Sequence, residues 1–129
     1  ALDSDILIYA LRGKEPFVST VKELEKKVAL ATTDINVFEL YAGAYKSSHS
    51  DRELASVKGA LNALTLLHTS EGSMELAGKI AADLHRKRTP IDAKDLFIAS
   101  ICMVSGCSLL TRNTKHFERI DGLRLFDPS

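Results

Sequence analysis

Asp3 and Asp5 are the only charged residues between Ala1 and Leu11, Glu39 is the only one between Ile35 and Tyr45, and Asp95 opens an uncharged run from Leu96 to Thr111. A carboxylate in apolar surroundings loses hydration unless it is protonated, paired or bound to a cation, so such acids concentrate at functional sites. Their hard oxygens suit Mg2+, which binds through carboxylates while keeping several waters. Other acids, such as Glu23, Glu25, Asp51 and Glu53, lie among further charges and read as solvated helix faces. Each candidate also has a structural explanation. Asp95 can be a first-turn acid favoured by the helix dipole, Asp92 a simple N-cap, and Glu39 half of a salt bridge to a distant arginine.

The elements that must position these acids alternate between short strands and helices, with no internal repeat or low-complexity tract. Ala1 to Asp3 reads as the end of a first strand, followed by a short helix from Ile6 to Leu11 that stops near Gly13. Pro16 opens a helix to about Lys27, and Val28 to Thr32 reads as a second strand. Asp34 is placed to cap a helix over Ile35 to Lys46, with Ile35, Phe38, Tyr41 and Tyr45 at near-helical spacing. Asp51 to Leu64 and Ser70 to Arg88 read as an amphipathic helical pair, and Thr65 to His68 as a short strand or connector between them. Asp92 caps a helix from Ala93 to Ser105, apolar nearly all round, that Gly106 ends. Ser108 to Thr111 reads as a buried strand, Lys115 to Arg119 as a helical turn, and Leu123 to Phe126 as a last strand.

Such alternation predicts one α/β domain over residues 1–129, with a parallel sheet covered on both faces. In sheets of this kind the active crevice lies outside the carboxyl ends of the strands. Asp3 and Asn113 fall at such ends, and Glu39 and Asp95 lie a few residues into helices that start there. Four residues from distant parts of the chain therefore converge.

Composition narrows the function. Seventeen basic residues balance seventeen acidic ones, so any attraction to a nucleic acid has to be local. Cys102 and Cys107 form no Cys-x-x-Cys pair, nothing at the N-terminus resembles a signal peptide, and the run from Leu96 to Thr111 is too short and interrupted to span a bilayer. A soluble cytoplasmic protein with no membrane partner is expected. Glycine-rich dinucleotide and phosphate loops are absent, and His49, His68 and His85 form no His-Glu-x-x-His pattern.

Four segments in order resemble the PIN domain, and within it the VapC-like toxins of toxin-antitoxin pairs. The first is Leu2-Asp3-Ser4-Asp5-Ile6-Leu7-Ile8-Tyr9, similar to the family's Asp-Thr/Ser-Asn opening. The second is Asn36-Val37-Phe38-Glu39-Leu40-Tyr41-Ala42-Gly43, and the third Asp95-Leu96-Phe97-Ile98-Ala99-Ser100, like the family's Asp-x-x-Ile-Ala-Ala. The fourth is Leu110-Thr111-Arg112-Asn113-Thr114-Lys115-His116-Phe117, followed by Ile120-Asp121-Gly122-Leu123. Two departures stand out: Asp5 replaces the family's usual Asn, and Asn113 stands where many members place a fourth acid. Asn113 can offer a carbonyl oxygen but adds no negative charge.

The resemblance implies a PIN-like three-layer fold, a central parallel sheet flanked by helices, and hydrolysis of RNA phosphodiester bonds. It implies Mg2+, with Mn2+ as a substitute, held by Asp3, Glu39 and Asp95, and a supporting role for Asn113. Ser4 is the candidate to position a water or phosphate. Arg112, Lys115, His116 and Arg119 are candidates for contact with RNA. A homodimer and an antitoxin protein are the implied partners. Two rival readings remain. In one, Asp3-Ser4-Asp5 is the Asp-x-Asp of haloacid-dehalogenase-like phosphatases, with Asp3 as nucleophile and Asp5 as general acid, although the usual following Thr or Val is missing. In the other, the chain is a PIN-like scaffold that binds a partner without cutting it.

Overall fold

The computed structural model describes residues 1–128. Its elements in chain order are α1 (Ser4–Leu11), α2 (Phe17–Glu25), β1 (Ala31–Thr33), α3 (Asp34–Lys46), α4 (Ser50–Asn62), β2 (Thr65–Leu67), α5 (Glu71–Arg86), α6 (Ala93–Ser105) and α7 (Thr114–Phe117). β1 and β2 pair in parallel, with Thr32 opposite Leu66. The sheet continues from β1 to the first residues through the Leu2 amide, which donates to the Ala31 carbonyl at 2.8 Å. Parallel bridges then join Leu2 to Leu110 and Leu109 to Leu125. In space the order is residues 65–67, 31–33, 1–3, 109–111, 124–126.

Three of these five extended segments meet their neighbours only at single bridges, although continuous strands were expected over 1–3, 108–111 and 123–126. Side chains take over part of the ladder here. The Thr32 hydroxyl, for example, donates to the Leu2 carbonyl at 2.8 Å. Two further expectations are corrected. The strand expected at Val28 begins only at Ala31, because the Val28 amide still donates to Leu24 and extends the end of α2. Asp34 is not the cap of α3. Thr33 is, and it forms a capping box with Asn36. Asp34 instead accepts bonds from the Thr69 amide and hydroxyl.

Successive strand residues point to opposite faces, and this alternation divides the core in two. Leu110 joins Leu2, Ile6, Leu7, Leu30, Leu40, Ala44 and Val57, beneath α1, α3 and α4. Leu109 joins Ala77, Ile80, Leu84, Ile98, Ala99, Cys102 and Phe117, beneath α5, α6 and α7. The result is the expected three layers. α6 keeps its bounds of Ala93 to Ser105, capped by Asp92 and ended by Gly106 at φ 69°. It is apolar nearly all round because six of its residues are buried, yet Val104 on its outer side is exposed.

Leu109 is fully buried in the core beneath α5, α6 and α7. Leu109→Ala should lower stability by about 2–5 kcal/mol, whereas Val104→Ala should change it by less than about 0.5 kcal/mol. Urea unfolding at constant m-value checks both.

Candidate active site

Asp3 ends the first extended segment and begins α1, so its carboxylate lies at the carboxyl edge of the sheet. It is only 7% exposed. Oδ1 accepts from the Ser4 amide and the Asn36 amide group, both at 2.8 Å, and Oδ2 accepts from the Thr111 hydroxyl at 2.7 Å. These donors come from three separate parts of the chain.

Asn36 organises the next layer. Its Nδ2 donates to Asp3 and to Ser4 Oγ, each at 2.8 Å, while its Oδ1 accepts from the Thr33 hydroxyl at 2.8 Å. Ser4 Oγ in turn donates to Glu39 Oε1 at 2.9 Å. Ser4, expected to face a water or phosphate, thus has its one proton committed to Glu39. Asn36 and Glu39 are three residues apart and share one face of α3, which explains how one helix carries both to the edge.

Glu39 carries a carboxyl pushed above its usual range, first by burial, against the lowering effect of the Ser4 bond, and further by the nearby charge of Asp3. Lys94 Nζ lies 3.8 Å from Glu39 Oε2. The salt-bridge reading of Glu39 therefore has a partner, though it is a lysine from the first turn of α6 and not an arginine. The pair is partly exposed and long, so its contribution is small. The net upward shift has the same meaning: burial and like charges outweigh the lysine.

Asp95, in the first turn of α6, is also raised, mainly by burial and then by Asp3, with His116 acting in the other direction. Its Oδ2 lies 3.2 Å from His116 Nδ1 and 3.4 Å from Asn113 Nδ2. Asp5 is raised by burial and by Asp3. Its Oδ1 accepts from the Ile6 amide, and its Oδ2 from the Arg112 amide at 3.0 Å, tying α1 to the segment after Thr111.

The basic candidates separate. Arg112 is exposed and lies over two rings, 4.5 Å from the Tyr9 centroid and 5.5 Å from Phe17, which themselves stack at 5.1 Å. His116 turns into the carboxylate site. Arg119 donates to the Pro90 carbonyl at 3.2 Å, and Lys115 is exposed. Lys87, within the basic run at the end of α5, pairs with Asp83 and Asp121, as a solvated helix end would.

Sequence reasoning missed Asn36, Thr111 and Lys94. The first two are uncharged, so nothing flags them as exceptional in an apolar stretch. Spacing was the available signal: Asn36 precedes Glu39 by one helical turn, and Thr111 closes the segment opposite Asp3.

The donor set fits a divalent cation. Asp3, Glu39 and Asp95 are carboxylates close enough to repel one another, and the carboxyls of Glu39 and Asp95 are raised by burial and by Asp3, a cost that a nearby positive charge would offset. Among the described residues no three acidic, cysteine or histidine side chains close around one point. Such an open set suits an ion that keeps several waters. The phosphatase reading fits poorly, because both oxygens of Asp3 are already engaged by buried donors.

A family model for the PIN domain matches residues 1–123. The chain is 30% identical over 126 residues to the tRNA(fMet)-specific endonuclease VapC of Shigella flexneri, covering 98% of this chain and 95% of that one. It is 32% identical to the protein of the same name from Salmonella typhimurium, with the same coverage. Among solved structures, DNA-bound VapBC from Salmonella typhimurium superposes with a TM-score of 0.89 at 31% identity, over 99% of this chain and 96% of that one. VapBC2 from Rickettsia felis, bound to a promoter DNA fragment, also gives 0.89, at 27% identity over 97% and 95%.

The raised carboxyls fix a pH dependence. A folded-state value above the unfolded one means that the stabilisation is full below the unfolded range, about pH 4, and is lost as pH rises through the folded value. In EDTA, Glu39→Gln should therefore match the parent near pH 4 and become the more stable of the two by about pH 7. Thermal melts at the two pH values test this. A variant that melts lower at neutral pH would show the Lys94 pair to be the stronger effect.

Proposed function

Because the chain belongs to the PIN-domain family, we propose that it is a divalent-metal-dependent endoribonuclease, the toxin of a toxin-antitoxin pair. The observation that carries this reading is the meeting of Asp3, Glu39 and Asp95, from three distant segments, at one edge of the sheet. Asp3, Glu39 and Asp95 would hold Mg2+, or Mn2+ in its place. When bound, the cation supplies positive charge against the phosphoryl oxygens and makes water a better nucleophile.

The chain's own residues do the positioning. Asn36 and Thr111 fix the orientation of Asp3, and Ser4 fixes that of Glu39. Asn113 contributes polar contacts beside Asp95. Arg112 is the strongest candidate for RNA contact. Its backbone is held by Asp5 and its guanidinium rests on Tyr9 and Phe17, so little freedom is left to lose when a phosphate or base arrives. Lys115 and Arg119, both exposed, are further candidates for RNA contact.

The partners in this reading are RNA, a second copy of the chain and an antitoxin. Phe38 and Tyr45, exposed on α3, support self-association. A groove of about 430 Å³ between α1, α3 and α4, lined by Ile8, Leu11, Leu40 and Val57, supports the antitoxin. No helix among the described residues is long and apolar enough to cross a membrane.

Purified protein should cleave single-stranded or looped RNA with Mg2+ or Mn2+ and stop in EDTA, and Glu39→Gln should abolish cleavage. Equal cleavage in EDTA, from a preparation free of other nucleases, would sink the metal mechanism. A phosphoaspartate found by mass spectrometry after turnover would revive the phosphatase reading. Light scattering at micromolar concentration should show twice the 14.1 kDa chain mass, and a monomer would refute the dimer.

A further inference from the structure

Arg112 is anchored at the rim of the carboxylate edge. Thr111, the residue before it, donates its hydroxyl to Asp3 Oδ2 at 2.7 Å, and the Arg112 amide itself donates to Asp5 Oδ2 at 3.0 Å. From that rim the side chain crosses to α1 and α2. Arg112 Cζ, the Tyr9 ring centre and the Phe17 ring centre stand at the corners of a triangle with sides of 4.5, 5.1 and 5.5 Å, so the guanidinium covers both rings and does not cap only one. The rings are partly buried, whereas Arg112 is exposed.

Two simpler roles explain little of this arrangement. As a counter-ion to Asp5 the guanidinium is weak, because burial raises that carboxyl first and the Arg112 charge comes last among the influences on it. As a tether to α1 the side chain is partly redundant, since Asp5 already holds the Arg112 amide. What arginine offers here is a planar, weakly hydrated surface that stacks on aromatic rings and on bases alike. Lys14, also exposed, brings its Nζ to 5.3 Å from the Tyr9 centre, so a second positive charge flanks the rings. Aromatic surface interleaved with cations suits single-stranded nucleic acid, whose bases stack while its phosphates meet the charges.

We propose that Tyr9, Phe17 and Arg112 form a stacking platform for one unpaired nucleobase of the RNA, beside the phosphate at the carboxylate edge, with Arg112 as the surface on which the base lies. This subsite rests on the reading of the chain as an RNA-cleaving enzyme and replaces an undirected charge contact by a base contact. Every base has a π-face, so the platform accepts all four, and the larger purines gain most. A base inside a duplex is already stacked, which restricts the subsite to single-stranded or looped RNA.

The test compares a short single-stranded RNA with versions that carry one abasic nucleotide at each position in turn, cleaved by the full chain in Mg2+. For the parent, kcat/KM should fall about tenfold when one particular nucleotide beside the cut bond loses its base, and little at other positions. Arg112→Lys keeps the charge and loses the plane, so it should cost the intact RNA a similar factor and cost the RNA abasic at that position nothing more, because both changes remove one contact. Tyr9→Leu should behave in the same way. Additive losses would show that Arg112 serves a phosphate, and unchanged cleavage by Arg112→Lys with a lower melting temperature would show a structural tether. Unchanged cleavage with lost binding of an antitoxin would assign the platform to a protein. Each of these three outcomes overturns the proposal and leaves the carboxylate chemistry standing. A parent that cleaves no RNA, intact or abasic, removes the RNA reading itself and this subsite with it.

Discussion

A carboxylate buried as deeply as Asp3 is tolerated only where hydrogen-bond donors replace the water it has lost, and the architecture of the sheet edge follows from that requirement. Three donors meet it: the amide of the next residue, the side chain of Asn36 on α3 and the hydroxyl of Thr111. Each belongs to an element that crosses the edge at a different point. Satisfying one anion therefore locks α1, α3 and the segment after Leu110 into a fixed relation. The short ladders alone, three residues long or a single bridge, would hold them loosely.

With Asp3 fully served by neutral donors, its negative charge is stabilised but not neutralised. The neighbours feel it: Asp5, Glu39 and Asp95 are all shifted upward in part by Asp3. Lys94 is the one lysine paired with this group among the described residues, and at 3.8 Å and half-exposed it offsets little. The edge thus carries an unbalanced negative potential in a chain whose formal net charge is zero. Under the proposed function, that imbalance would draw a cation, and the cation would let RNA phosphates approach.

Elements governed by strong local signals were legible in the sequence. α6 has an Asp92 cap, an apolar body and a left-handed Gly106, and each fixes a boundary independently. Asp3, Glu39 and Asp95 could be picked out because charge is conspicuous in apolar sequence. The strands were harder, since three residues do not complete a period-2 pattern, and hydroxyls such as Thr32 take the place of ladder amides. Asn36 and Thr111 were invisible for a related reason: their roles exist only once distant segments meet. His116 was read as part of a basic surface because its neighbours in sequence are basic, whereas one turn of α7 is enough to aim its ring at Asp95.

This division of labour decides which substitutions report on chemistry. Replacing Asp3 by Asn would keep an oxygen for the Ser4 amide and Asn36 only by turning its NH2 on Thr111, whose hydroxyl would then have to accept that bond and give up Asp3 as the acceptor of its own proton. Lost activity in that variant would follow from a disordered edge as readily as from a missing ligand. Glu39 differs because only its Ser4 bond is short, its contacts with Asn36 and Lys94 being long, and because its charge is disfavoured in the metal-free fold. Removing that charge leaves Ser4 an acceptor and relieves repulsion with Asp3. The residues that build the site and those that report on its chemistry are therefore largely distinct, and the reason is electrostatic: one carboxylate has its full set of donors within the fold, and the others keep a charge that burial and like neighbours disfavour.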